Sequence, residues 1–392
     1  MRFLRTLSTA RLLILVAAAA ALAAGAAAIA VAARGGSGPT PQPKPLASAI
    51  HDALSAPEPQ GITARIKFTN KLFPSGALTG RVGSALMSGA SGRLWATNDG
   101  RGRLELQSDA GDVQIVWRDQ DVTVFDASSN TVYRLKIPAR THASEKGSDK
   151  GGIPSVAQIT DFLSRIGKHV NVSDAQPTNV AHQPAYSVRL SPKHDGGLLG
   201  AAEIAWDAVR GVPLRVGIYA QGSSSPVLEL AATHISYGPI PASDVDISPP
   251  AGAKTSNFGS FAPYHHERGG GKAQANGLSA VRASAKFDVV APDTLVGLPR
   301  QDVRLLHGGD SALVVYGHGL GAIVVVESKA DAHAGNGGVL GGLPSVSIDG
   351  ATGHELATQL GTALTWTRGG VAYVLAGSVP TAAAEAAARE LK

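Results

Sequence analysis

Apolar and polar residues alternate through the middle of the chain in runs too short for helices. Between Ser91 and Pro138 five such runs follow one another: Arg93–Thr97, Arg103–Ser108, Val113–Arg118, Thr123–Asp126 and Thr131–Ile137. Turn-forming clusters join them, Asn-Asp-Gly-Arg-Gly, Asp-Ala-Gly-Asp, Asp-Gln-Asp and Ala-Ser-Ser-Asn. Leu104 and Leu106 fall on one side of their run and Arg103, Glu105 and Gln107 on the other, the period of a half-buried antiparallel strand. Short strands at such even spacing predict a meander that curls towards a barrel or half-barrel. Upstream, Ile62, Ala64, Ile66 and Phe68 alternate with Thr63, Arg65, Lys67 and Thr69, which predicts an amphipathic strand. Downstream, strands are predicted over Pro184–Leu190, Ala202–Asp207, Pro213–Ala220 and Val227–Tyr237, the unit ending at Pro249-Pro250.

Two stretches keep helical spacing instead. Leu46, Ile50 and Leu54 recur every four residues within Pro45–Ala56, where Pro45 suits a first turn and Pro57 and Pro59 close the segment. Val156, Ile159, Leu163, Ile166 and Val170 form a second apolar stripe, with Ser155 and Gln158 at capping-box spacing. It predicts a helix covering one face of the sheet, or lining a cavity under it. Beyond Asn276 a second, smaller unit is predicted. It comprises an opening helix or turn near Leu278–Ser284, strands Lys286–Val290, Ser311–Tyr316, Ala322–Ser328 and Pro344–Ile348, and a short helix Gly353–Leu360. Strands Ala363–Arg368 and Val371–Ala376 and an alanine-rich helix Thr381–Leu391 complete it.

At the N-terminus the pattern becomes one unbroken apolar run. Leu12–Ala33 holds 22 residues without a charge, preceded by Arg2, Arg5 and Arg11 and closed by Arg34. That length spans a bilayer as a helix, and the upstream arginines favour a cytoplasmic N-terminus. Ala30-Val31-Ala32 alternatively resembles a signal-peptide cleavage site. Either way the rest of the chain is expected outside the cytoplasm: held to the cell membrane by a single pass, or secreted or periplasmic if the segment is cleaved. The chain thus divides into 1–34, a transmembrane anchor or signal peptide; 35–44, a Gly/Pro linker; 45–254, the curled-sheet domain; 255–276, a second linker; and 277–392, a small α+β domain. The glycines of the second linker predict that the two domains fold independently.

Composition narrows the chemistry. The chain has 392 residues, 44% of them apolar and only 5% aromatic, with 47 glycines and 23 prolines, as suits a turn-rich β protein. It has no cysteine, which excludes disulfides, thiol catalysis and cysteine-held metals. The net charge of +5 comes from cations scattered singly among the strands, so no nucleic-acid partner is expected. No GxSxG or HExxH spacing occurs. His265-His266-Glu267 lies in the linker, and His307, His318, His333 and His354 are dispersed through the second unit. Gly317–Gly321 reads as a hairpin turn between strands, and the acid pairs Asp119/Asp121 and Asp244/Asp246 belong to turns or domain ends. A non-catalytic protein without cofactor or metal is expected. The candidate site is then apolar: Leu104, Leu106, Ile115, Trp117, Val122, Val124, Phe162, Leu163, Ile166, Leu214, Val216 and Ile218, drawn from alternate strand positions and the helix stripe.

Three segments in order carry a family resemblance. They are QIVWRDQDVTVFDASSNTVYR (Gln114–Arg134), EIAWDAVRGVPLRVGIYA (Glu203–Ala220) and YGPIPASDVDISPPAGAK (Tyr237–Lys254). Together they resemble the outer-membrane lipoprotein carrier (LolA) superfamily over about residues 45–254. The resemblance implies an α+β fold in which a curved antiparallel half-barrel sheet wraps around helices and encloses an apolar cavity for acyl chains or lipidated protein. The second unit, with ALTWTRGGVAYVLAGSVP, is weakly similar to the domain added in RseB-like members of the group. Those members act as lipid-responsive envelope-stress regulators, so the alternative implied is regulation through a membrane partner such as an anti-sigma factor. Family carriers place an Arg-Pro pair just ahead of the strand matching Leu104–Ser108. Asn98 and Asp99 stand there instead, so the hand-over that arginine governs is not implied here.

Overall fold

The computed structural model describes residues 38–72, 89–136, 153–168, 170–193, 197–257, 275–330 and 343–392. The predicted N-terminal apolar helix, His265-His266-Glu267 and His333 lie outside them. Among the described residues no helix is long and apolar enough to cross a membrane.

The first unit is built on one curled sheet of 13 strands. The strands are β1 Gly61–Asn70, β2 Ala90–Thr97, β3 Arg101–Ser108, β4 Gly111–Arg118, β5 Asp121–Asp126, β6 Thr131–Lys136, β7 Val170–Val172, β8 Gln176–Val180, β9 Gln183–Pro192, β10 Leu199–Asp207, β11 Pro213–Ala220, β12 Pro226–Tyr237 and β13 Lys254–Asn257. Their spatial order is β13-β6-β5-β4-β3-β2-β1-β12-β11-β10-β9-β7, with β8 paired on β9. The pairings are antiparallel except that of β13 with β6. The meander β2–β6 follows the predicted alternation, and its turns use residues that tolerate positive φ, Asp119 at 52° and Asn130 at 48°. The segment 255–276, expected as linker, therefore opens inside the sheet: residues 254–257 form an edge strand.

Helix α1 (Leu46–Ser55) and helix α2 (Val156–Ile166) pack on each other and on the sheet, and a short α3 (Ala242–Val245) abuts β2 and β3. The capping box predicted for α2 is formed: Ser155 Oγ accepts from the N–H of Gln158 at 3.3 Å, and Gln158 Oε1 accepts from the N–H of Ser155 at 2.8 Å. The helix stops earlier than its apolar stripe suggested. Gly167 caps it by donating to Leu163 O, and Val170 belongs to β7.

The second unit is an antiparallel sheet of eight strands, β14 Thr294–Leu295, β15 Leu298–Leu306, β16 Ser311–Tyr316, β17 Ile323–Lys329, β18 Ser345–Ile348, β19 Ala351–Thr358, β20 Gly361–Arg368 and β21 Val371–Gly377. Helix α4 (Leu278–Ser284) and helix α5 (Thr381–Glu390) pack against it. The core gathers Val281, Leu295, Tyr316, Ile323, Leu364, Leu375 and Leu391. Two expectations are corrected. Lys286–Val290 forms no strand, its place in the sheet being taken by β15. The predicted helix Gly353–Leu360 is strand β19, because Asp349 and Gly350, at φ 46° and 86°, turn β18 back on β19 as a hairpin. Gly317–Gly321 does join the antiparallel pair β16 and β17.

An apolar face beneath two helices

The register assigns the candidate residues to one face of the sheet. Antiparallel partners directly opposite share a face, and one row across six strands reads Ala64, Leu94, Leu104, Ile115, Val124 and Tyr133. A neighbouring row reads Ile62, Ala96, Gly102, Trp117 and Val122, and another pairs Ile66, Gly92, Leu106 and Val113. On the other side of β1 the row continues from Phe68 through Leu230 and Val216 to Ile204 and Val188. This is the face that carries the helices. Leu46, Ala49, Ile50 and Ala53 of α1 and Leu163 of α2 pack with Tyr186, Val188, Ile204 and Trp206. Ile166 packs with Leu190, Ala202 and Ile218.

Burial varies along this face in an informative way. Leu106 and Leu214 are fully buried with Ile62, Ile66 and Val113. Leu104, Ile115, Trp117, Val122 and Val124 are half-buried, as are Phe162, Leu163, Ile166 and Ile218. Val216 and Leu230, paired across β11 and β12, are 38% and 42% exposed. Ile153 and Val156, at the start of α2, are exposed too. Single exposed apolar side chains are ordinary on protein surfaces; a directly paired set beside a helix-covered core makes a patch. Phe68, Leu94, Ile204 and Leu230 belong to the same rows but are not among the candidate residues read from the sequence. Leu230 lies in a strand whose alternation is broken, since a bulge at Thr233 shifts the register between Arg65 and Ile66.

One position shapes this face directly. A Cβ on Gly102 would lie 2.0 Å from Trp117 Cζ2, so the indole rests flat across the glycine of the next strand. Only glycine leaves room for it, and the ring is thereby held against the sheet instead of standing into the trough.

Polar groups close one end. Tyr237, opposite Ile62, donates to Asp207 Oδ2 at 2.6 Å, and Asp207 Oδ1 accepts from the N–H groups of Val209 and Arg210 at 2.8 and 2.9 Å. Burial, reinforced by that carboxylate, holds the Tyr237 hydroxyl well above its usual range, so it stays a neutral donor. Asn98 and Asp99 sit in the β2–β3 turn. Asp99 accepts from Arg101 Nε and Nη2 at 3.0 and 2.7 Å and from Thr97 Oγ1, and chiefly the Arg101 guanidinium holds its carboxyl well below the usual carboxylate range. Arg101 also donates to Asp246 at 2.8 Å, and Arg118 donates to the other oxygen of Asp246. These acids serve as turn clamps. Among the described residues no cluster of three or more His, Asp or Glu is placed to hold a metal ion.

The two units touch at the opposite end. Leu360, in the β19–β20 turn, packs among Val170, Leu190, Leu199, Ala202, Ile166 and Ile218. Gln359 Nε2 donates to Lys71 O at 3.2 Å.

No protein-family model matches the chain, and no curated protein matches it. Among solved structures it is similar to the MucA/MucB complex of Pseudomonas aeruginosa, at 15% identity and a TM-score of 0.40, over 88% of this chain and 94% of that one. It is also similar to a putative outer membrane lipoprotein-sorting protein domain from Vibrio parahaemolyticus, at 11% identity and a TM-score of 0.22, over 51% of this chain and 95% of that one. A LolA superfamily protein from Nitrosomonas europaea is similar at 11% identity and a TM-score of 0.20, over 52% and 97%. At these scores the likenesses say nothing about what the chain binds.

Proposed function

We propose that the helix-bearing face binds the acyl chain of a lipid or of a lipidated protein and that the protein acts by binding, without catalysis. The observation that supports this is the paired, exposed Val216 and Leu230, continuous with half-buried Phe68, Leu104, Ile115 and Val124. An alkyl chain laid along such a surface gains about 0.8 kcal/mol per buried CH₂, roughly fourfold in affinity per methylene. No charged partner is needed for that. In this reading Leu12–Ala33 keeps the protein at the membrane, with the remainder outside the cytoplasm. The test is uptake of a fluorescent fatty acid by the full chain in mild detergent, over a series of chain lengths, alongside mass spectrometry of co-purifying lipid. Affinity should climb with chain length and fall at least tenfold in Leu230→Asp. Lipid-free protein that takes up no fatty acid of any length would refute the reading.

A second reading is favoured by the Leu360 contact. Because the second domain rests on Ile166 and Ile218 of the same apolar face, a ligand entering there shifts its docking, and the protein then signals to a membrane partner such as an anti-sigma factor. Crosslinking in membranes should capture that partner, and removing residues 277–392 should abolish the contact while leaving lipid uptake intact.

A further inference from the structure

The outer face of the sheet, opposite the apolar one, carries an arrangement of charge with no internal explanation. One row across four strands reads His234, Arg65, Arg93 and Glu105. Arg65 and Arg93 are therefore opposite each other on adjacent strands, a geometry in which like charges destabilise a sheet. Lys67 lies two residues along the same face, opposite Ser91. Among the described residues no carboxylate lies within ion-pair distance of Arg65, Lys67 or Arg93, and all three side chains are exposed. Glu105, next to Arg93 in that row, is already engaged by Arg103.

The same residues surround a cavity of about 300 Å³, lined by Arg65, Lys67, Arg93, Ser91, Thr233, Gln107 and Glu105, with Ile66 and Gly92 between them. That is roughly twenty times the space one water needs. One backbone irregularity borders it. Thr233 is the extra residue of the bulge in β12, its hydroxyl donating to Arg65 O at 3.3 Å. Gly92 borders the hollow through its backbone alone, its position in the strand belonging to the apolar row of Ile66 and Leu106. Cations concentrated around a preformed hollow, with a hydroxyl donor from Ser91, match a compact multivalent anion. Two guanidinium forks match tetrahedral oxygens in particular, since each donates in parallel pairs.

We propose that this hollow is a binding site for a phosphoryl group, carried by a free phosphate compound or by a lipid headgroup. It is separated from the apolar face by the thickness of the sheet, so it stands or falls independently of acyl-chain binding. An anion between Arg65 and Arg93 turns their mutual repulsion into two attractions.

The probe is inorganic pyrophosphate, titrated into the full chain at low and high salt, with binding read by calorimetry and thermal unfolding. Wild type should bind and be stabilised, less so at high salt. Arg65→Gln/Arg93→Gln should bind at least tenfold more weakly while unfolding, without ligand, no lower than wild type, because a repulsive pair has been removed. Arg134→Gln, an exposed arginine outside the hollow, should bind as wild type does. Should the double variant not fold, Arg65→Lys, which keeps the charge and loses the fork, should give a partial loss. Vesicles of phosphatidylglycerol against phosphatidylcholine separate the sources. A wild-type advantage over the double variant on the anionic vesicles assigns a headgroup; a pyrophosphate effect without it assigns a free phosphate compound. Equal binding by wild type and Arg65→Gln/Arg93→Gln in both assays, or equal loss in Arg134→Gln, would overturn the proposal.

Discussion

The backbone N–H of Leu198 donates to both oxygens of Ser378, to the carbonyl at 2.8 Å and to the hydroxyl at 3.1 Å. The same hydroxyl accepts from the N–H of Leu199 at 3.2 Å and donates to Leu360 O at 2.8 Å. One serine of the second domain thus fixes the loop entering β10 and the turn that places Leu360. Leu360→Ser should weaken the docking of the domains by about 1–2 kcal/mol, the value of burying part of a leucine. Small-angle scattering should show a larger, more flexible particle, while each domain keeps its own thermal transition. An unchanged scattering profile would mean that the domains are held together elsewhere.

Glu327, on β17, is wholly buried in the second domain, where its Oε2 accepts from the N–H of Val290 at 2.8 Å. Burial raises its carboxyl from an ordinary 4.5 to about 7. The folded state therefore keeps this proton at pH values where the unfolded chain has released it. Stability from this group is full below about pH 4.5 and declines as pH rises to about 7. At about 1.4 kcal/mol per unit the loss approaches ~3 kcal/mol. Denaturant unfolding of the second domain at pH 5 and pH 8 should show that loss in wild type, and Glu327→Gln should flatten it. A domain more stable at pH 8 than at pH 5 would contradict the assignment.

Gly102 is the position through which the apolar face is most simply altered. Gly102→Val places branched carbon where the Trp117 ring now lies and drives the indole away from the sheet. Tryptophan emission should shift, the shift should vanish in Gly102→Val/Trp117→Phe, and fatty-acid uptake should fall at least tenfold. Emission identical to wild type would show that the ring has room to slide.

Tyr237→Phe removes one donor from Asp207 and leaves the two backbone donors in place. The expected cost is about 1–3 kcal/mol, since a buried acceptor loses a partner. Thermal unfolding of the first domain would register it; a neutral substitution would mean that water replaces the hydroxyl.

The strands of the meander, and the spacing that puts Leu104, Ile115, Trp117 and Val124 on one face, were legible because several strands alternate cleanly and short turns leave little freedom of register. Pro213–Ala220 matches β11 end to end for the same reason. The exceptions have local causes. Ala351–Thr358 carries Glu355 and Leu356 ahead of Gln359 and Leu360, a spacing that imitates a helical turn, and its strand identity comes from pairing with β18 and β20. β8 contains Pro177 and is an off-path strand that no alternation announces. The opposition of Arg65 and Arg93 could not be read from the sequence at all. Each looks like an ordinary outward cation in its own strand, and only the register across a long connection sets them face to face.

The great sheet is left open, and its two outermost strands are also very short: Val170–Val172 at one margin and Lys254–Asn257 at the other. An open sheet offers unpaired backbone groups at both margins as templates for another chain, and brief, polar edges blunt that hazard. Lys254-Thr255-Ser256-Asn257 covers the outer edge of β6 by parallel pairing. The short segment that leads out of the first domain thus also closes its sheet on that side, and cutting the chain before Lys254 should bare the edge of the sixth strand to pairing with a second copy, which light scattering would register.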